Sequence, residues 1–268
     1  MIPVLTFDIE TVPDVDGVRR LYAMDAALSP AEVAEAAFQR RRQATGSDFL
    51  PLHLHRVVAI ACTLRDRDHF RVWSLGDPGP VADSVSGPDD EGVLIQRFFD
   101  GIEKYTPQLV SWNGGGFDLP VLHYRGLIHG VRAPRYWESG DEDREFRWNN
   151  YLSRYHSRHL DLMDVLALYQ PRANAPLDQL AQLAGLPGKL GMDGSQVWGA
   201  YLDGQLQSIR DYCETDTVNT YLLFLRFQRM RGIFSETRYR EECDLVRSVL
   251  GKSSQPHWKA FLDGWRES

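Results

Sequence analysis

The chain reads as an α/β fold built on a mixed β-sheet of about five strands flanked by helices, and three observations predict it. Two β-prone runs, residues 57–64 and 70–75, are separated by a short charged turn and suit an antiparallel meander with the N-terminal run 3–7. Residues 108–113 form a further strand pattern, followed by three glycines and a helical pattern over 117–130, which is the order of an α/β unit. Helical periodicity at 91–105 and 206–231 supplies layers to cover the sheet.

In chain order, the β-prone run 3–7 leads into Asp8-Ile9-Glu10-Thr11. Side chains alternate along a strand, so Asp8 and Glu10 share one face, roughly 6.5–7 Å apart at Cα, while Leu5, Phe7 and Ile9 point to the other. Acid-x-acid spacing is weak evidence, because 37 acidic residues in a chain of 268 produce roughly five such pairs by composition alone. Asp14/Asp16, Asp66/Asp68 and Asp89/Glu91 are others, and they sit in polar, turn-like sequence. Asp8 and Glu10 are set apart by their apolar strand context, where two buried carboxylates cost several kcal/mol each unless a cation offsets them.

Residues 12–56 read as a helical insertion. Ser29-Pro30-Ala31-Glu32 has the form of a capping box with Pro at the first helical position, opening a helix over 31–43 that ends in Arg40, Arg41 and Arg42. Those cations suit a helix C-terminus, with phosphate contact as the alternative. His53 and His55 precede the strand at 57 without a third ligand, which favours a structural role over a metal site. Residues 76–90, rich in Pro, Gly and Asp, read as a surface loop, and Val93, Leu94, Phe98 and Ile102 give the helix 91–105 its apolar face. The charged, aromatic segment 131–158 reads as a flexible flap. Residues 159–166 are a strand running into a helix, 176–205 hold short helices broken at 185–188, and Gly232 ends the long helix. Helices at 236–250 and 257–266 form a C-terminal helical extension, over 233–268, of a single domain spanning 1–268.

Hydrophobic content of 43% and charged content of 25% are ordinary for a globular chain. The three cysteines are scattered, with no C-x-x-C, so neither a disulfide framework nor a zinc ribbon is expected. No run approaches the roughly 18 apolar residues of a membrane span, and the N-terminus lacks a secretory pattern, so a cytoplasmic protein with no membrane partner is expected. A net charge of −7 gives no global attraction to nucleic acid, so any such binding must be local.

Two further segments carry acids in unusual places. Asn113-Gly114-Gly115-Gly116-Phe117-Asp118 puts Asp118 at the mouth of a strand-to-helix turn, where a helix cap is the simpler role. The glycines allow close backbone approach by a ligand, but the P-loop Lys-Ser/Thr pair is missing. On the long helix, Ile209, Tyr212, Cys213, Asp216, Thr220, Leu223, Phe224 and Phe227 share a stripe, so Asp216 interrupts a largely apolar face one turn after Tyr212.

F-D-I-E-T, N-x-x-x-F-D and Y-x-x-x-D, in this order, resemble the three exonuclease motifs of the DEDD superfamily, whose fold is RNase H-like; the tyrosine marks the DEDDy branch. More narrowly, the chain resembles stand-alone proteins related to the proofreading exonuclease domain of family B DNA polymerases. The resemblance covers about residues 1–232, and the long 12–56 insertion is a departure from it. It implies a 3'-5' exonuclease acting on nucleic-acid 3' ends, single-stranded DNA foremost, with two Mg²⁺ or Mn²⁺ ions. Asp8 would bridge the ions, Glu10 and Asp216 would complete the shell of one, and Asp118 would hold the other through water. Tyr212 would orient the attacking water, and Thr11, Asn113 and Phe117 would contact the substrate. Asp161 and Asp164 match no motif acid. A non-catalytic RNase H-like module binding nucleic acid or a protein is the alternative, disfavoured because all four acids and the tyrosine are present. A small-molecule phosphohydrolase using the same metals would differ only in its pocket.

Overall fold

The computed structural model describes residues 2–75 and 91–266, so the loop expected at 76–90 lies outside the described residues. Among the described residues, β1 (Val4–Pro13), β2 (His55–Asp66), β3 (His69–Leu75), β4 (Gln108–Ser111) and β5 (His159–Asp161) form one sheet in the order β3-β2-β1-β4-β5. β1 pairs antiparallel with β2, and β2 with β3, while β4 runs parallel to both β1 and β5. This is the RNase H-like mixed sheet, with the hairpin meander and the α/β unit meeting on β1.

β1 is central, and its alternation divides the molecule. Leu5, Phe7 and Ile9 are buried in one core with Leu94, Ile95, Phe98 and Ile102 of α3 (Glu91–Tyr105) and Leu119, Val121 and Leu122 of α4 (Asp118–His129). The opposite face of the sheet receives α9 (Leu206–Met230). Between Glu10 and Thr11 the register slips: Glu10 faces Ala59 but Thr11 faces Val57, leaving Val58 extra on β2. A bulge of this kind bends and twists the pair, here directly beside the Asp8/Glu10 face.

The insertion holds two helices rather than one. α1 (Val15–Tyr22) is capped by Asp14, whose side chain accepts from Gly17 N, and α2 (Pro30–Thr45) carries the expected Ser29/Glu32 capping box. Eight residues are too few for α1 to show a helical period in the sequence. The segment 131–158 is irregular, with α5 (Pro134–Trp137) and a 3-10 turn over Arg144–Arg147, yet it is not loose from the body. Tyr136, Phe146 and Tyr151 are buried in the core of α3 and α4, and the Tyr151 hydroxyl donates to Pro107 O at 2.7 Å.

α6 (Leu162–Leu166), α7 (Leu177–Leu183) and α8 (Val197–Leu202) lead to α9. α9 is buried on nearly every side, Thr215, Thr217 and Asn219 included, rather than along one stripe. The cause is the C-terminal extension: α10 (Glu236–Leu250) and α11 (Pro256–Gly264) lay Tyr239, Val246, Trp258 and Phe261 against the side of α9 that the sheet does not cover. Arg65 of β2 joins this layer through a buried two-pronged pair with Glu242, at 2.7 and 2.8 Å.

Candidate active site

Three segments far apart in sequence bring their acids to one place. Asp8 and Glu10 come from the α9-facing side of β1, Asp118 from the first turn of α4, and Asp216, with Tyr212 one turn before it, from α9. Asp118 does not act as the cap of its helix. Its Oδ1 reaches across to accept from Ile9 N at 3.1 Å, fastening the start of α4 to the strand between the two β1 acids. A cleft of about 1030 Å³ opens over Asp8, Asp118, Tyr212 and Asp216, and Asn113 and Phe117 form part of its wall. Glu10 lies deeper, 8% exposed, with a carboxylate oxygen within 4.8 Å of one from Asp8. Thr11 is turned to another partner, its hydroxyl 2.9 Å from His55 Nδ1.

Burial and mutual repulsion dominate the electrostatics. Burial first, then Asp118, Glu10 and Asp216, pushes Asp8 well above the usual carboxylate range. Glu10 is raised in the same way by burial and by Asp216 and Asp118, against the pull of Lys189. Burial brings Asp118 up to about 7, although its own amide and that of Ile9 favour the charged form. Asp216 is raised by burial to about 6, with the Tyr212 hydroxyl and Lys189 opposing the rise. The Tyr212 phenol is itself raised by burial and the neighbouring acids, so it remains a neutral hydrogen-bond donor.

The residues fit a bound divalent cation. Asp216 Oδ1 is buried with no hydrogen-bond partner among the described residues, and four carboxylates crowd a low-dielectric site where a positive ion removes both penalties. The donors are hard oxygens, which suit Mg²⁺ or Mn²⁺. Cys213 also touches the group, its thiol 3.4 Å from Asp8 O and 3.7 Å from Oδ2. Burial and Asp8 raise that thiol well above its ordinary range, so it stays protonated and donates rather than ligates.

Other contributors left little signal in the sequence. Lys189, in the turn after α7, places its ammonium 5.5 Å from the Tyr212 ring and lines the cleft. Asp161 holds the glycine turn: its carboxylate accepts from Asn113 N at 3.0 Å and Gly115 N at 2.8 Å, while also capping α6 through Met163 N and Asp164 N. The glycines serve the turn's own packing, since a Cβ on Gly114 would lie 2.3 Å from Ser111 Oγ and one on Gly116 2.5 Å from Asn113 Oδ1. Asn113 adopts φ 65°, a left-handed conformation that Asn tolerates better than most residues. His55 packs edge-on against Phe117, ring centroids 5.2 Å apart, and fixes that ring at the cleft.

A family model described as "Predicted 3'-5' exonuclease related to the exonuclease domain of PolB" matches residues 47–265. The chain belongs to this family. The match takes in Asp118, Tyr212 and Asp216, while Asp8 and Glu10 lie ahead of it. The catalytic chain of DNA polymerase epsilon from Saccharomyces cerevisiae is 30% identical over 154 residues, 54% of this chain and 6% of that protein. Its counterpart in Emericella nidulans is 28% identical over 143 residues, 52% of this chain and 6% of that protein. The chain is therefore homologous to the exonuclease region of these polymerases and corresponds to a small fraction of their length. No helix among the described residues is long and apolar enough to cross a membrane.

Proposed function

We propose that the protein is a metal-dependent 3'-5' exonuclease that hydrolyses phosphodiester bonds at nucleic-acid 3' ends, with single-stranded DNA as its main substrate. The observation that carries this reading is the convergence of Asp8, Asp118, Asp216 and a neutral Tyr212 on one cleft, with Glu10 beneath it beside Asp8. DNA is favoured because the relatives are DNA polymerases.

Asp8, Glu10, Asp118 and Asp216 would together hold two Mg²⁺ or Mn²⁺ ions, which when bound would supply Lewis-acid activation of water and stabilise charge on the entering and leaving oxygens. The chain's own residues do the rest. Tyr212 donates from its phenol to orient the attacking water. Lys189 places a cation beside the acids, where the phosphate arrives with further negative charge. Phe117, fixed by His55, stacks on the terminal base, and Asn113 contacts the same nucleotide from a turn that Asp161 holds rigid. Thr11 acts on the substrate side through His55.

Incubation of the purified protein and Mg²⁺ with end-labelled single-stranded DNA, duplex DNA and RNA tests the proposal, and a ladder that shortens from the 3' end of DNA is the expected product. Asp8→Ala and Asp216→Ala are expected to abolish it without loss of thermal stability, because removing one carboxylate relieves repulsion among the rest. Turnover near the wild-type rate in either variant would remove that residue from the mechanism.

A further inference from the structure

We infer, building on the exonuclease reading, that a second pocket, behind the glycine turn, takes a base of the substrate strand that precedes the 3'-terminal nucleotide. The pocket has a volume of about 430 Å³ and is walled on one side by the segment 131–158. It adjoins the cleft over Asp8. Gly115 and Asp164 line the pocket while Asn113, Phe117 and Met163 line the cleft, so the glycine turn and the start of α6 separate the two. A strand whose end lies at Asp8 and Phe117 can therefore place an earlier base across the turn.

Its lining suits a flat ring with a polar edge. Trp137 of α5, Tyr151 and Tyr169 supply aromatic surface, and Trp137 is 51% exposed. Tyr169 is fixed in place: the Arg154 guanidinium lies 5.1 Å from its ring centre, its hydroxyl donates to Arg154 O at 3.0 Å, and its amide donates to Asp164 O at 2.7 Å. Leu168 and Tyr169 both adopt left-handed backbone, at φ 51° and 58°, which bulky residues rarely take and which recurs at ligand clamps. His123 of α4 and His159 of β5 complete the pocket. His159 is 9% exposed, with Nε2 2.8 Å from Ser111 Oγ, and His123 Nε2 lies 2.9 Å from the Tyr136 hydroxyl. No hydrogen bond among the described residues falls to Nδ1 of either ring. Burial lowers both histidines to about 4, so both rings are neutral and each Nδ1 can donate or accept as its tautomer allows. A void left by loose packing is the competing account. Such voids are apolar, whereas unpartnered ring nitrogens beside aromatic walls fit an uncharged, planar ligand with a polar edge. A nucleobase has that chemistry, and stacking of bases on aromatic side chains is how single strands are commonly held.

Binding, rather than turnover, reads this out. In Asp8→Ala protein with Mg²⁺, fluorescence anisotropy of a 5'-labelled oligothymidine measures affinity with hydrolysis suppressed. Trp137→Ala in that background is expected to weaken binding about fivefold or more. The loss is expected to vanish on a strand made abasic at the positions just before its 3'-terminal nucleotide, and Trp137→Phe is expected to recover most of the affinity for the intact strand. Tyr169→Ala, at another wall of the pocket, repeats the comparison if Trp137→Ala disturbs the fold. Equal loss on the intact and abasic strands, or no loss on either, would overturn the proposal and leave the exonuclease reading standing. Failure of the parent to bind any strand would overturn both.

Discussion

Tyr212 and Asp118 give the sharpest predictions at the scale of single residues. Tyr212→Phe keeps the ring on α9 and loses the hydroxyl, so the rate is expected to fall by roughly 10² to 10⁴ while Mn²⁺ affinity, measured by calorimetry, stays the same. A large loss of affinity would instead make the phenol a ligand. Asp118 titrates near 7 in the fold against an ordinary value of 3.8. Between those values the folded chain holds a proton that the unfolded chain has released, so metal-free stability falls as pH rises through the window and levels off above it. Asp118→Asn cannot titrate. Melting temperatures in EDTA are expected to show wild type losing ground to this variant between about pH 4 and 7, and Mg²⁺ restoring wild type at the upper end; parallel curves would contradict the assigned shift. Strand and helix periods place Asp8 with Glu10 on one face of β1 and Tyr212, Cys213 and Asp216 on one stripe of the long helix, while grouping the three segments came from the motif resemblance and not from any period. The contact of the Cys213 thiol with Asp8 and the roles of Lys189 and Asp161 were not legible, because packing between distant segments sets them and no local period encodes it. Thr11 follows the same rule, since its partner His55 arrives from the far end of the insertion.

Among the elements, the insertion is fastened by a buried network that its own sequence does not announce. Arg125 of α4 donates to Asp14 at the start of α1 and to Glu91 at the start of α3, and Glu91 also accepts from Val57 N of β2. Arg125 and Glu91 are each 3% exposed and Asp14 8%. Read locally, Glu91 belongs to a polar Asp-x-Glu run and Asp14 to a turn, so nothing short of the folded chain pairs them. Arg125→Ala leaves two buried carboxylates without their cation and is expected to cost about 3–5 kcal/mol in urea unfolding. Arg42→Ala, which breaks exposed pairs with Glu35 and Asp48, is expected to cost less than about 1 kcal/mol. Similar costs for the two would mean that the network does not hold the insertion. The strands and long helices were legible because their patterns repeat over many residues, and the two-sided burial of α9 was not, because α10 and α11 supply its second side.

For the whole molecule, charge and its distribution set how the proposed exonuclease would handle a long strand. The net charge is −7, so affinity for DNA rests on local cations, and several of these already have partners. Arg42 pairs with Glu35 and Asp48, Arg41 donates to Phe49 O, Arg158 lies 3.9 Å from the centre of the Phe146 ring, and Arg154 is 3.9 Å from Asp164. Lys189 lines the cleft, and Arg132 and Arg144 are exposed, so these are the cations left to meet phosphates. A few contacts release few counterions, which gives weak binding and a shallow dependence on salt. Dissociation then competes with the next hydrolysis, and the protein is expected to work distributively, leaving after one or a few nucleotides. Excess unlabelled DNA added after the reaction starts should halt shortening of a labelled strand almost at once, and the salt slope of binding should correspond to only two or three phosphates, about −0.7 for each on a single strand. Digestion that continues to the end of the labelled strand in the presence of trap would contradict this and point to an assembly that encloses the DNA.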